Sequence, residues 1–318
     1  MSGKFVNHQK FFLQTDTAFK REKILTTIAY CKKNSIENLV LSAEMLFERE
    51  IELPFARELS QIPGVDLRVV MYLRRQDYWL ESAWTQWGYK SKNYVDVHDY
   101  IIKRDCNWLG RVQMWEEAVG RERLVIRCYE KEQLPNGLIS DFLGVIGIDY
   151  GSYSWIEQKD QYRGFKSEVM EILFLNKDFC IDENDNRLQV FFEKYLDESY
   201  QKQSFEGYSF ISPKERIMIL DKYAESNTII AREYLKRDDG RLFYEPYPDP
   251  EASWESYKGL TVEEFVPVFA YLVYNIDMKY RQQHKPFPRN VLECLCRWKT
   301  LGRPCVAIKR WFSERFNR

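Results

Sequence analysis

The sequence predicts an α/β protein in which a parallel sheet is flanked by helices and followed by a helical C-terminal half. Two observations carry this prediction. In residues 1–150, short apolar runs without polar alternation are separated by helical stretches, as in parallel strands joined by crossover helices. After residue 150, the apolar residues recur only at helical spacing. We therefore expect an α/β core at 1–150 and a mainly helical lobe at 151–318.

Three apolar runs are the predicted strands, and a helix is expected before each of them. The strands are expected at Asn38–Ser42, Asp66–Leu73 and Arg123–Tyr129. Gly64 and Gly120 end the helices that precede the second and third strands. The expected helices are Asp16–Asn34, Leu53–Gln61, Gln76–Tyr89, Val97–Val119, Leu134–Ile146, Ser167–Asn176, Asn186–Ser199, Pro213–Leu235, Thr261–Gln282 and Asn290–Phe316.

Composition excludes some classes of protein. The formal net charge of −1 gives no global field that would attract nucleic acid. The seven cysteines are scattered, without a zinc-type double pair, which favours reduced thiols in a cytoplasmic protein that binds no metal. No signal segment and no run of 18 apolar residues is present. Aromatic residues make up 16% of the chain, which suits either a cleft for sugars or nucleotides or a tyrosine-rich core.

Paired arginines stand at the end of the second predicted strand. Arg74 and Arg75 follow "VVMYL", and Ser82 follows Arg74 by eight residues, within the next predicted helix. The carboxyl ends of strands in open α/β sheets face the ligand crevice. A guanidinium group matches an oxyanion, and a serine hydroxyl adds a donor. The pattern indicates a phosphate or sulfate site, or alternatively an exposed arginine pair with an unrelated serine.

The stretch "YLRRQDYWLESAW" resembles the 3′-phosphate-binding segment of sulfotransferases that use 3′-phosphoadenosine 5′-phosphosulfate (PAPS). Further segments resemble other parts of that family, especially the bacterial sulfotransferase-like proteins of polysaccharide biosynthesis. These segments are "LVLSAEMLF", "ERLVIRCYEKEQL", "ISDFLGVIGID" and "SNTIIAREYLKRDDGRLF". The resemblance implies a P-loop-NTPase-like sheet, PAPS as sulfuryl donor and a carbohydrate or glycolipid hydroxyl as acceptor.

The resemblance also implies roles for individual residues. Arg74 and Ser82 match the residues that bind the 3′-phosphate, and Arg75 is a candidate second contact to the anion. Glu44 matches the acidic residue at the reaction centre, where it would take the acceptor's proton; the alternative is a carboxylate that favours a helix N-terminus. Arg163 and Lys166 lie in "YRGFKSE", where the family covers the nucleotide with a basic loop, although an ordinary helix-entry loop fits equally.

One part of the family pattern is missing. No apolar strand followed by a Gly-Lys phosphate loop is found before Asn38. That loop would cradle the 5′-phosphosulfate, so we expect little or no transfer unless a missing N-terminal segment or another chain completes the site. The alternative is a non-catalytic protein of the same fold that binds glycan or nucleotide as a scaffold.

The end of the chain is basic. Arg297–Arg318 is rich in Lys and Arg, contains one Glu, and carries Trp298, Trp311, Phe312 and Phe316. Such a segment is typical of peripheral contact with an anionic membrane or an acidic glycan. A terminal helix docked by its aromatic face is the alternative.

Overall fold

We describe the fold from a computed structural model. It describes residues 11–12, 16–47, 50–152, 165, 167–196, 200, 209–254 and 260–282. This part of the chain is mixed α/β and mostly helical, with a small two-stranded parallel sheet. Among the described helices, none combines the length and apolarity that crossing a bilayer requires.

The chain divides into two units that are interleaved along the sequence. The first comprises Met1–Tyr78, Cys106–Trp155 and Met218–Tyr247, and the second comprises Trp79–Asp105, Ile156–Ile217 and Pro248–Arg318. The predicted boundary at residue 150 therefore divides the chain differently from these units. Both described strands do lie before residue 150, and the described stretch 167–282 contains helices as its regular elements.

The sheet lies in the first unit. Strand β1 is Val69–Leu73 and strand β2 is Leu124–Cys128, paired in parallel from Val69 opposite Leu124 to Leu73 opposite Cys128. Met71 and Leu73 of β1 and Ile126 and Cys128 of β2 are buried. Burial therefore alternates along both strands, because one face of the sheet meets the core while the other is half-covered.

The first unit also contains five α-helices in its described part, of which Trp108–Val119 packs on β2. They are α1 (Thr17–Lys33), α2 (Leu53–Ser60), α5 (Trp108–Val119), α6 (Gly137–Val145) and α10 (Ala224–Ile229), which continues as a π-helix over Ile230–Tyr234. Helices α2 and α10 both pack on α5. Phe12, Ile24 and Leu59 form a core cluster beneath α1 and α2. The buried Lys20 ammonium binds Glu52 at 2.6 Å, so this charge is neutralised where it is buried.

The described part of the second unit is mainly helical. It contains residues 79–86 of α3 (Gln76–Gln86), together with α4 (Val97–Lys103), α7 (Ser167–Leu175), α8 (Arg187–Tyr195), α9 (Pro213–Lys222, shared with the first unit) and α11 (Val262–Gln282). The Trp84 ring contacts the rings of both Tyr100 and Phe174 in its core. Helix α11 packs against both α7 and α8.

The structure corrects three of the predicted elements. The strand at Asn38–Ser42 is wrong: residues 36–43 have no regular structure, and Leu39 and Val40 are exposed. A parallel strand requires neighbours that accept and donate its backbone hydrogen bonds, and this segment pairs with neither described strand. The helix predicted over Val97–Val119 is two helices, because Asn107 caps a new start by accepting a hydrogen bond from the Gly110 N–H.

The third correction concerns Pro213–Leu235. This stretch is α9, then α10, then the π-helix, rather than one continuous helix. Tyr223 separates α9 from α10, and its hydroxyl accepts a hydrogen bond from the buried Cys106 N–H at 2.8 Å. A tertiary contact therefore occupies the junction where the sequence pattern predicted continuity.

Candidate functional site

The candidate site lies where the two strands end. Arg74 and Arg75 come directly after β1, and Tyr129 comes directly after β2. Because the strands are parallel, their carboxyl ends meet at the same edge of the sheet. The Tyr129 N–H donates to the Leu73 carbonyl at 2.7 Å, so the ladder continues to this edge. The structure thus places the predicted arginines at the edge where open α/β sheets bind ligands.

Arg74 is half-buried and held by its backbone. The buried Trp108 indole Nε1–H donates to the Arg74 carbonyl at 2.8 Å. The Arg74 guanidinium lies 5.9 Å from the centre of the Tyr129 ring, within cation–π range. Tyr129 is 46% exposed, so an open aromatic surface stands beside the arginine. A guanidinium next to an exposed ring can receive an anion and a flat ring system at once.

Arg75 has a different environment from Arg74. Its side chain is buried, its Nε and Nη2 donate to both oxygens of Asp77 at 2.8 and 2.9 Å, and its Nη1 donates to two carbonyls. Those carbonyls belong to Glu245 and Pro246, at 3.3 and 3.1 Å. The Tyr78 ring covers the guanidinium at 4.4 Å. This placement gives Arg75 a structural role, and binding an external anion would require breaking the Asp77 pair.

Helix α3 begins one residue after Arg75 and carries Ser82, which is half-buried. The start of the helix is fixed by Gln76, which is fully buried. Its amide donates to Asn227 Oδ1 at 2.7 Å and accepts from Asn227 Nδ2 at 3.1 Å. Asn227 belongs to "SNTIIAREY", one of the segments that carry the resemblance. The segment therefore serves to position the turn between β1 and α3.

A loop is anchored at the same edge of the sheet. The buried Glu130 carboxylate accepts the N–H groups of Tyr244 and Glu245 at 2.7 to 2.9 Å. Glu245 in turn accepts a hydrogen bond from the Tyr78 hydroxyl. Burial, together with this hydrogen bond, raises the pKa of Tyr78 to about 12. The loop after Phe243 is thus tied to the ends of both β2 and β1 by charge-assisted hydrogen bonds.

Glu44 is exposed and begins the short 3₁₀ turn Glu44–Phe47. The expectation that it stands at the end of a strand is wrong, since the preceding residues 36–43 form none. The turn is nevertheless connected to the site: the Phe47 ring lies 5.4 Å from the Trp108 ring in an edge-on contact. Trp108 is the residue that hydrogen-bonds Arg74. The role of Glu44 as the general base stays a prediction.

Arg163, Lys166 and the basic segment Arg297–Arg318 are outside the described residues. Among the residues that are described, no group of three His, Cys, Asp or Glu side chains is placed to hold a metal ion. The sequence analysis missed Tyr129 and Trp108. The signal for Tyr129 was its position at the end of a predicted strand, in parallel with the position of Arg74 at the end of the preceding one.

A cavity of about 590 Å³ opens beyond the carboxyl end of β2. Its lining includes Arg127, Gln133, Ser140 and Asp141. The Arg127 guanidinium binds both oxygens of Asp141, and the Tyr72 hydroxyl donates to the same carboxylate at 2.6 Å. Hydrogen bonding to Arg127 holds the pKa of Asp141 below its usual value. The two charged side chains among these lining residues, Arg127 and Asp141, are therefore paired with each other.

Comparisons with known proteins give one distant relative. No protein-family model matches the chain, and no solved structure matches it. A protein of Archaeoglobus fulgidus, described as uncharacterized, is 29% identical over 170 residues, which cover 52% of this chain and 45% of that protein. The chain thus spans less than half the length of this relative.

Proposed function

We propose that this chain is a sulfotransferase-like protein that binds the 3′-phosphate of PAPS through Arg74 and Ser82. The observation that carries the proposal is the position of Arg74, at the carboxyl edge of a parallel sheet, with helix α3 starting two residues later. This strand–arginine–helix order is the order that the resembling segment requires. A P-loop-NTPase-like core, of which β1 and β2 are two strands, belongs to the same proposal.

Tyr129 supports a nucleotide rather than a simple anion as the ligand. Its exposed ring lies beside Arg74 and offers a surface on which a base can stack. Arg74 supplies the charge for the phosphate, and a charge-assisted hydrogen bond of this kind is worth about 1.5–3 kcal/mol. Arg75, which holds Asp77, would stabilise the turn that presents Arg74.

The proposed reaction is transfer of the sulfuryl group to a carbohydrate hydroxyl. The acceptor oxygen attacks sulfur in line, the S–O bond to the nucleotide phosphate breaks, and adenosine 3′,5′-bisphosphate leaves. Glu44 would take the proton of the hydroxyl. Positioning and charge stabilisation would supply most of the rate, as in phosphoryl transfer. A carbohydrate or glycolipid in surface polysaccharide synthesis is the acceptor class that the resemblance implies.

Isothermal titration with adenosine 3′,5′-bisphosphate tests the binding site. Loss of the Arg74 guanidinium in Arg74→Ala should weaken binding by about ten- to a hundredfold. Ser82→Ala should weaken it by a smaller factor, because a neutral hydroxyl donor is lost. The matched control is Arg57→Ala, which removes an exposed arginine of α2. Equal affinity of wild type and Arg74→Ala would remove the site from the proposal.

A second candidate function, binding without transfer, is favoured by one observation. Glu44 is exposed on a 3₁₀ turn rather than partly buried at the end of a strand, the position expected for the general base. The discriminating measurement is release of adenosine bisphosphate from PAPS in the presence of a polysaccharide acceptor. Acceptor-dependent release that disappears in Glu44→Gln supports the enzyme. Tight nucleotide binding without release supports the scaffold.

A further inference from the structure

Four of the most exposed large apolar side chains lie on neighbouring segments of the second unit. Val95 is 78% exposed, Ile181 74%, Phe179 72% and Leu175 68%, and these are the highest values for large apolar residues in the described part of the chain. We call these four residues the apolar tip. Contiguous exposed apolar groups are typical of an interaction surface, whereas single ones are ordinary.

Hydrogen bonds bring the members of the apolar tip together. The Lys177 ammonium donates to the carbonyl oxygens of Tyr94 and Val95, both at 3.3 Å, and so holds the Val95 loop against the turn that follows α7. Cys180, between Phe179 and Ile181, has extended backbone angles and a buried side chain. Side chains alternate in extended backbone, so Phe179 and Ile181 both point outward on either side of it.

The loop behind the apolar tip is held rigidly. The Ile181 N–H donates to Asp185 at 3.0 Å, and Arg187 binds the same carboxylate. From the interior, the Lys90 ammonium, 2% exposed, donates to the Asn186 side-chain oxygen at 2.5 Å. An apolar surface presented on a rigid loop loses little conformational entropy when it is covered.

The charged residues around the apolar tip indicate which kind of partner covers it. Asp178, Asp182 and Glu183 are exposed around the apolar tip, and none forms an ion pair with another described residue. An acidic rim repels anionic lipid and nucleic acid and attracts a basic segment. The covering partner should therefore combine positive charge with apolar anchors.

We propose that the apolar tip is the docking surface for this chain's own basic segment, Arg297–Arg318. That segment supplies Lys and Arg for the rim and the rings of Trp298, Trp311, Phe312 and Phe316 for the apolar side chains. Helix α11 ends at Gln282 and packs on α7 and α8, the helices next to the apolar tip. The intervening residues 283–296 can span up to about 46 Å, so the tether permits contact. This inference is independent of nucleotide binding.

Carboxylate–amine cross-linking of the full chain tests the proposal. A zero-length coupling reagent should join Lys299 or Lys309 to Asp178, Asp182 or Glu183, as identified by mass spectrometry. In Phe179→Ser/Ile181→Ser the acids remain but the apolar contact is lost, so the yield of these links should fall at least about tenfold. The matched control, Ile139→Ser, removes a comparably exposed isoleucine from the other unit and should leave the yield unchanged.

Four outcomes would overturn the proposal. The first is absence of the links in the wild-type chain, and the second is an equal yield in the Phe179→Ser/Ile181→Ser variant. The third is that a mixture of ¹⁴N- and ¹⁵N-labelled protein gives cross-links between a ¹⁴N chain and a ¹⁵N chain, which would assign the surface to a second copy of the protein. Co-sedimentation with phosphatidylserine vesicles that depends on Phe179 and Ile181 would assign it to a membrane instead. Because both side chains are more than 70% exposed, the variants should fold like the wild type.

Discussion

Arg74 and Arg75 are neighbours in sequence, and substituting each by alanine should have opposite consequences. In Arg75→Ala, the Asp77 carboxylate stays at a position where it is 0% exposed, without the guanidinium that binds both of its oxygens. Breaking a buried ion pair in this way costs about 3–5 kcal/mol, because the carboxylate stays buried without its arginine partner. Arg74 is half-buried, and its loss should cost under about 1 kcal/mol.

Urea unfolding followed by circular dichroism measures both free energies of unfolding. We expect Arg75→Ala to unfold at much lower urea concentration than the wild type, and Arg74→Ala to unfold close to it. The nucleotide titration should give the reverse ranking for any protein that remains folded: Arg74→Ala loses affinity through the missing guanidinium. Stability and binding would then be assigned to adjacent side chains.

A double variant tests the cause of the destabilisation. In Arg75→Ala/Asp77→Asn the negative charge of the buried Asp77 side chain is removed as well. The double variant should therefore be more stable than Arg75→Ala. If Arg75→Ala lies within about 1 kcal/mol of Arg74→Ala, the reasoning from burial is refuted. The same reasoning is refuted if Asp77→Asn restores none of the unfolding free energy that is lost in Arg75→Ala.

Two further predictions concern packing and pH. A Cβ atom on Gly88 would lie 2.9 Å from the Tyr100 ring, so Gly88→Ala should cost about 1–3 kcal/mol in urea unfolding. The same change at Gly144, where a Cβ atom meets nothing within 4 Å, should stabilise helix α6 by about 0.5 kcal/mol, and a loss at this control position would contradict the packing argument. The Asp141 carboxylate has a folded pKa held below its usual value of about 3.9 by Arg127. Its stabilisation is therefore present at neutral pH and is lost as pH falls through the folded pKa. The unfolding free energies of wild type and Asp141→Asn should differ by about 1 kcal/mol at pH 7 and converge in acid, and a constant difference would exclude this carboxylate as the cause.

Several elements could be predicted from the sequence because local physics determines them. The apolar runs Val69–Leu73 and Leu124–Cys128 are strands, and Gly120 ends the helix before the second one with a φ of 90°. Arg74 follows its strand directly, as the sequence pattern indicated. In each case the deciding interactions, apolar burial and backbone preference, lie within a few residues of one another.

Other features could not be predicted, because distant residues decide them. "NLVLS" has the composition of a strand, but a strand needs a hydrogen-bonding neighbour, and composition does not say whether one exists. Arg74 and Arg75 have the same side chain, yet Arg75 is buried and binds Asp77 and the Glu245 and Pro246 carbonyls, whereas Arg74 is half-buried beside the Tyr129 ring. The sequence alone does not distinguish two adjacent arginines.

By itself, the sequence determined that strands alternate with helices before residue 150, that helices follow, and that an arginine comes directly after a strand. These properties depend on the periodicity of side chains along a short segment. Only the tertiary structure decided that Arg75 is buried against Asp77, that Tyr129 stands beside Arg74, and that four apolar side chains are exposed on neighbouring segments. Those properties depend on contacts between residues far apart in the chain, where burial and hydrogen bonding are set by neighbours that no local pattern specifies.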